Sequence, residues 1–358
     1  MKLSFVIEEL VEERGLDRNV LSQIVCEGML SAYQKKYPDL DFDIVFNKKT
    51  DELDVFVKKT VVSEVENEDS QISTRKARAI DPKAEVGDTI LVPFDGKIGR
   101  IEILKAKQVI AQKIRNIEAS SVYNEFKPKE GTIVYGVIHK CERNGYIIKI
   151  NETLALLPKS LAIPTDKCIV GHPIRTLLKE VYAEPRNENQ LILDRSSPEF
   201  LKRLFELEIP EVFEKLVEIK KVVRIAGYKS KVIVSSNDKN IDPVGTCVGF
   251  GGARIKPILK ELGTEKIDII AHTSSLEELI KDALKPAVVN RVEITDNKNA
   301  NVWVDEDQRS LAIGKMGQNI LLASQLTDIN IHLVKNEGTQ DISDIVNKEL
   351  ENQDIESE

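Results

Sequence analysis

The chain has little from which to build an active site and few residues that could hold it together covalently. Of 358 residues, four are cysteine, four histidine and one tryptophan. Cys26, Cys141, Cys168 and Cys247 form no C-x-x-C pair, which leaves out the common redox and zinc-ribbon motifs. In a reducing compartment they read as small buried hydrophobes. His139 and Cys141 share a strand face, and Cys168 and His172 follow at C-x-x-x-H. That order and spacing match no familiar finger, so no metal is expected. The histidines stand apart from any nucleophile–base spacing, which argues against an enzyme, and no cofactor is expected. No run approaches the ~20 apolar residues that span a bilayer. The start, MKLSFVIEELVEERG, has Glu8 and Glu9 where a signal peptide needs its apolar segment. The expectation is a cytoplasmic protein with no membrane contact.

An excess of positive charge is also missing, since the net charge is −8. Residues 336–358, NEGTQDISDIVNKELENQDIESE, hold eight acids and one lysine, a net of −7, so the other 335 residues carry −1. Overall acidity therefore does not exclude a nucleic-acid partner. The tail has no aromatic residue and is expected to be disordered and solubilising.

What is present is a series of patterned segments, and the length argues for several domains. Residues 3–36 read as two helices, with Gly15-Leu16-Asp17 as a stop and then an N-cap. DFDIVFNKKTDELDVFVKKTVV alternates about a polar turn, as in a β-hairpin, and residues 97–124 turn helical. From 131 to 197, five short strand candidates (GTIVYGVIHK, GYIIKI, TLALLP, PIRTLLKEVY, NQLILD) suggest a small closed barrel of OB type. Its face presents Lys140, Arg143, Tyr146 and Lys149, a composition suited to single strands, although a solvated surface would look the same. Residues 198–219 read as helix. The hairpin after it carries Lys220, Lys221, Arg224, Lys229 and Lys231 without an acid, which is either a phosphate contact or a lysine-protected edge.

The strongest signal is a repeat. VGFGGARI (248–255) and IGKMGQNI (313–320) share one outline, and each lies between a hairpin with a helix and a second helix with a strand. Neither is a dinucleotide or P-loop motif. Gly249, Gly251 and Gly252 have the wrong spacing, and Lys315 is followed by Met316 rather than Ser or Thr. A Gly-x-x-Gly turn between helices lets a nucleic-acid backbone lie against the loop, the KH arrangement, with the next helix offering its N-terminus to phosphate. The loop residues expected at RNA are Gly249, Gly251, Gly252 and Arg254 in the first copy. In the second they are Gly314, Lys315, Gly317 and Gln318. Arg224, Lys229 and Lys231 of the hairpin join them, with Lys140, Arg143 and Tyr146 of the barrel.

DPVGTCVGFGG, EKIDII, LKPAVVNRVEI, DEDQRSLAIGKMGQNILLASQLT and LDRSSPEFLKRLFELEIPE, with FVIEELVEERGLDRNVL near the start, resemble the NusA family of bacterial transcription termination/antitermination factors. The resemblance implies a multidomain α+β protein: an N-terminal α/β polymerase-binding domain at 1–127, a five-stranded S-one-type OB-fold at 128–197, tandem type II KH domains at 198–273 and 274–335, and an acidic tail. It implies RNA polymerase, nascent single-stranded RNA and other Nus-type factors as partners of a monomer without catalysis. Pausing, intrinsic termination and antitermination would be its functions. Members usually have a basic residue where Gly251 stands, and a basic pair where only Lys315 remains beside Met316. Leu321 and the hairpin lysines also depart from basic or arginine positions. Weak RNA binding with a shallow salt slope is therefore expected. The acidic tail stands in place of the C-terminal repeats of some members. A general or ribosome-associated RNA binder is the alternative. A ribonuclease is a third reading, disfavoured by the lack of an acidic metal cluster.

Overall fold

The computed structural model describes residues 17–47, 50, 52–96, 98–167, 169–186, 189–296 and 298–335. The predicted first helix and the acidic tail lie outside them. The chain divides into two compact units, 1–122 and 123–358.

In the first unit, Asp17 caps helix α1 (Arg18–Lys36) by accepting from the Asn19 and Val20 N–H groups, as its position before the apolar run predicts. The hairpin β1 (Phe42–Asn47) and β2 (Glu52–Val62) forms antiparallel. Strand β3 (Gln71–Ser73) joins β2 in parallel, helix α2 (Thr74–Ile80) follows, and β4 (Thr89–Pro93) pairs with β2 antiparallel. Tyr33, Tyr37, Phe42 and Phe94 meet edge to face or tilted over this sheet. The long helix α3 (Arg100–Phe126) lies close to α1 at Gly28, where an added Cβ would sit 2.4 Å from Ile110 Cγ1. Ile101 and Leu104, read as part of the apolar pattern, are exposed, while Ile114 is buried with Leu21 and Ile24.

In the second unit, β5 (Ile133–Cys141), β6 (Gly145–Ile150), β7 (Thr153–Pro158), β8 (Pro173–Arg186) and β9 (Asn189–Asp194) close a barrel in the order β5-β6-β7-β9-β8. The parallel pairing of β7 with β9 makes the closure. Cys141, at the end of β5, is exposed and disulfide-bonded, whereas Cys26 is half-buried and free, and Cys247 is buried and free. The expectation of four buried reduced thiols therefore fails at Cys141. A sulfur in a disulfide is also no zinc ligand.

Two copies of one unit follow. The first is helix α4 (Pro198–Glu208), β10 (Val217–Ile225), β11 (Lys229–Ser236), α5 (Pro243–Val248), α6 (Ile255–Leu262) and β12 (Lys266–Ala271). The second is α7 (Leu276–Leu284), β13 (Arg291–Asp296), β14 (Asn299–Val304), α8 (Glu306–Ile313), α9 (Gln318–Thr327) and β15 (Asn330–Lys335). Each sheet runs antiparallel and then parallel, β10-β11-β12 and β13-β14-β15. Each copy thus opens with a helix ahead of its first strand, α4 or α7, which closes its core. Helix was predicted through 219, but α4 stops at Glu208, a single turn fills Pro210–Phe213, and β10 begins at Val217. Pro210 cannot donate to the preceding turn, and Lys215 takes φ +61°.

Phe200, Leu201, Leu204 and Phe205 of α4 share one core with Ile163 and Leu177 of the barrel and Ile258 and Leu262 of α6. The other face of the first sheet, with Val223, Ile233 and Ile270, packs into the core of the second copy, under α9. Barrel and both copies are therefore joined by continuous packing.

Candidate nucleic-acid interface

Asp242 caps α5 by accepting from Val244 N–H at 3.1 Å and Gly245 N–H at 3.0 Å, which fixes how the chain enters the first loop. Gly249 then has φ +73°, Gly251 +59° and Gly252 +78°. In the second loop Gly314 has φ +72°, Met316 +53° and Gly317 +75°. The left-handed steps fall at the same three places, and only the middle one departs from glycine. At the first place glycine is required twice over. A Cβ would come within 2.9 Å of Arg254 Cγ at Gly249, and within 2.7 Å of Asn319 Cβ at Gly314.

Arg254 and Asn319 are the same position, Asn319 buried and Arg254 half-buried, and both donate to backbone carbonyls. Arg254 donates to the Thr246 carbonyl at 2.9 Å and to Glu211 at 2.6 Å. Asn319 donates to the carbonyls of Leu284, Leu311 and Ala312 at 3.1 to 3.3 Å. Each ties the helix before the loop to the helix after it, satisfying carbonyls that a helix end leaves unpaired. Arg254 thus serves the loop's shape, with its charge held by Glu211.

The basic hairpin shows a second departure. The side chains of Arg224 and Glu265 are wholly buried, joined through Nε and Nη2 at 2.8 and 2.9 Å, and Arg224 Nη1 also donates to the carbonyls of Arg195 and Ser197. Lys231 is buried 2.6 Å from Asp268, and burial pulls its ammonium below the ordinary lysine value against the pull of that carboxylate. Lys229, nearly buried, bonds Asp268 at 2.8 Å and Asn319 Oδ1 at 3.2 Å. All three cations are bonded within the fold, Lys229 and Lys231 sharing the one carboxylate of Asp268, and none is exposed to solvent as the sequence pattern suggests. In the barrel, Lys140 is exposed and paired with Glu142 at 2.8 Å, Arg143 is exposed at the β5–β6 turn, and half-buried Tyr146 pairs with Cys141 across the hairpin. Lys149 lies at the other end of that hairpin, opposite Val137 and bonded to Glu152.

The exposed groups at the loops are others. Lys315 is exposed and Gln318 half-buried. Lys256, in the first turn of α6, was not singled out by sequence. Its Cε lies 3.6 Å from where a Gly252 Cβ would be. Neither Lys256 nor Lys315 has an ion-pair partner among the described residues. Tyr135, exposed on β5 with Arg175 5.5 Å from its ring, is an aromatic the sequence reading passed over.

The loops are braced from behind. Buried Arg195 bonds Asp166 of the barrel at 2.8 Å and Glu261 of α6 at 2.6 Å, and also the Arg175 carbonyl. Lys221 bonds Asp328 at 2.6 Å, linking the first copy to the second. The arrangement gives two rigid glycine turns, each with a small number of exposed cations. Among the described residues no group of His, Cys, Asp or Glu is placed to hold a metal ion, and no helix is long and apolar enough to cross a membrane.

Comparison with known proteins agrees with this architecture. Family models match for the NusA N-terminal domain at 2–120, the NusA-like first KH domain at 195–272 and the NusA-like second KH domain at 276–341. The transcription termination/antitermination protein NusA of Thermus thermophilus is 35% identical over 340 residues, covering 91% of this chain and 88% of that protein. The protein of the same name from Bacillus subtilis is 34% identical over 348 residues, covering 96% and 93%. A solved structure of the N-terminal domain of NusA from Bacillus subtilis matches 32% of this chain and 95% of its own, at 30% identity and a TM-score of 0.27. With two tandem KH folds behind a closed five-stranded barrel, and relatives similar along nearly its whole length, the chain belongs to the NusA family of transcription termination/antitermination proteins.

Proposed function

We propose that this chain is a transcription elongation factor that holds RNA polymerase through residues 1–127 and nascent single-stranded RNA through the barrel and the two KH domains. By doing so it changes pausing, intrinsic termination and antitermination. It acts in the cytoplasm as a monomer, without catalysis or cofactor, alongside other Nus-type factors. The observation that carries the reading is the glycine turn built twice with the same three left-handed residues. The few free cations fit it. A protein anchored on polymerase meets emerging RNA at high effective concentration, so weak loop contacts suffice.

The test is the lifetime of a hairpin-stabilised pause of bacterial RNA polymerase. It compares the full chain, residues 123–358, and the double variant Gly251→Asp/Gly317→Asp. At both glycines a side chain would meet nothing within 4 Å, so each substitution costs only the strain of a positive-φ backbone, about 1 kcal/mol, while a carboxylate faces the RNA. The full chain is expected to lengthen the pause, and the other two to lose most of the effect. If the full chain binds RNA but leaves every pause unchanged, it is a general or ribosome-associated RNA binder.

A further inference from the structure

Phe250 stands at the tip of the first loop with 102% of its reference area exposed. Gly249 and Gly251 flank it, both at positive φ, and a side chain at 251 would find nothing within 4 Å. Both faces of the ring are therefore open. An aromatic ring in water forgoes the whole gain of burial, so nothing within the fold accounts for its placement. Lys256 stands beside the same loop without an ion-pair partner among the described residues. A flat apolar surface next to one cation and a helix N-terminus matches a nucleotide, with the base on the ring and the phosphate on the lysine. In the second loop the position of Phe250 is taken by Lys315.

We propose that Phe250 stacks on a base of the RNA held at the first loop. That loop then draws its affinity from stacking, while the second draws it from the charge of Lys315. The inference rests on the RNA-binding reading above. It adds a base-sensitive contact to a turn otherwise expected to touch only the backbone. Purines, with the larger π-face, are favoured at this place over pyrimidines.

The test is fluorescence anisotropy with the full chain, an oligoadenylate, and a strand of equal length carrying abasic sites. Phe250→Ala is expected to bind oligoadenylate about tenfold more weakly than the parent, and Phe250→Trp about as well as the parent. On the abasic strand, parent and Phe250→Ala should bind alike. Lys315→Ala should lower the salt slope by about one, and Phe250→Ala should leave it unchanged. Because the ring touches nothing, the alanine variant should melt with the parent. If the parent binds oligoadenylate and Phe250→Ala binds it equally well, the stacking proposal is overturned while RNA binding stands. If that variant instead loses polymerase retention, the ring is a protein contact and the proposal is again overturned. If the parent binds neither strand, the RNA-binding reading falls, and the proposal with it.

Discussion

At the ends of their central strands the two KH copies hold opposite chemistry in the same register. Arg224 faces Ser230 across the first hairpin, and Glu265 precedes the parallel strand. Glu265 accepts from Arg224, from the Ser230 hydroxyl at 2.6 Å and from Gly227 N–H at 2.9 Å. In the second copy the corresponding residues are Ile294, Ala300 and Ile329. Ala300 and Ile329 are buried and Ile294 is about one-third exposed, at 37%. One backbone therefore accepts either a buried ion pair or an apolar trio. The neighbourhood explains the choice. The first copy sits where the chain leaves the barrel, and the carbonyls of Arg195 and Ser197 there need the donors that Arg224 supplies. A buried pair is weak evidence of stability in itself, but it fixes which segment lies against which.

The comparison is broken most forcefully at Glu265. Glu265→Ala leaves a buried guanidinium unpaired and should cost about 3–5 kcal/mol in urea unfolding. Writing the second copy into the first, Arg224→Ile/Ser230→Ala/Glu265→Ile, should recover part of that loss. About 1–3 kcal/mol would remain for the carbonyls left without a donor. A triple variant less stable than the single one would mean that the two sites are not interchangeable. Next in size is the contrast between two glycines of one loop. Gly314→Ala forces a Cβ to 2.7 Å from that of Asn319, whereas Gly317→Ala meets nothing within 4 Å. Losses of about 3 and about 1 kcal/mol are expected from thermal melts. Equal losses would show that φ alone, and not the contact, demands glycine.

Met316→Gly sharpens the comparison in the opposite direction, because it installs the residue that the first copy uses at 251. Relief of a left-handed backbone, about 1–2 kcal/mol, exceeds the entropic cost of glycine, about 0.5–1 kcal/mol. A small rise in the denaturation midpoint is expected. The smallest effect belongs to Cys247, which lies two residues before the first glycine, where the second copy has Ala312. Burial, with the charge of Glu211, pushes its thiol from 9.0 up to about 12. The folded state keeps the proton that the unfolded state releases, so stability present below pH 9.0 should fall as pH rises toward 12. Cys247→Ala should remove that slope from a pH series of melts while changing neutral-pH stability by less than about 1.5 kcal/mol.

Features set by neighbours in sequence were the most legible. The barrel strands, the Asp17 cap and the glycine turns follow from alternation, capping chemistry and left-handed backbone. The fate of the basic hairpin was not legible. Residues 220–231 carry five cations without an acid, which reads as a free positive surface, but Glu265 and Asp268 arrive from 35 to 41 residues later through a parallel pairing that no local pattern announces. Lys256 was overlooked for the converse reason. A single lysine on an amphipathic helix has no signature until the turn before it is seen in space. The sequence also placed Arg254 among the RNA-binding residues without revealing its internal role, which is to donate to the Thr246 carbonyl as Asn319 in the twin position donates to that of Ala312.

The helix that follows the second glycine turn is also the lid on the first copy's sheet, and Lys229 is hydrogen-bonded to its second residue. The two turns cannot drift apart without opening that core. An RNA engaged at both is therefore held as if between the jaws of locked callipers. Once one jaw has closed, the second contact costs almost no further translational freedom, but only for a strand that spans the gap. Two short fragments gain nothing from one another. With both turns engaged as proposed, such a protein would gauge how much unpaired RNA is present before reading what that RNA says.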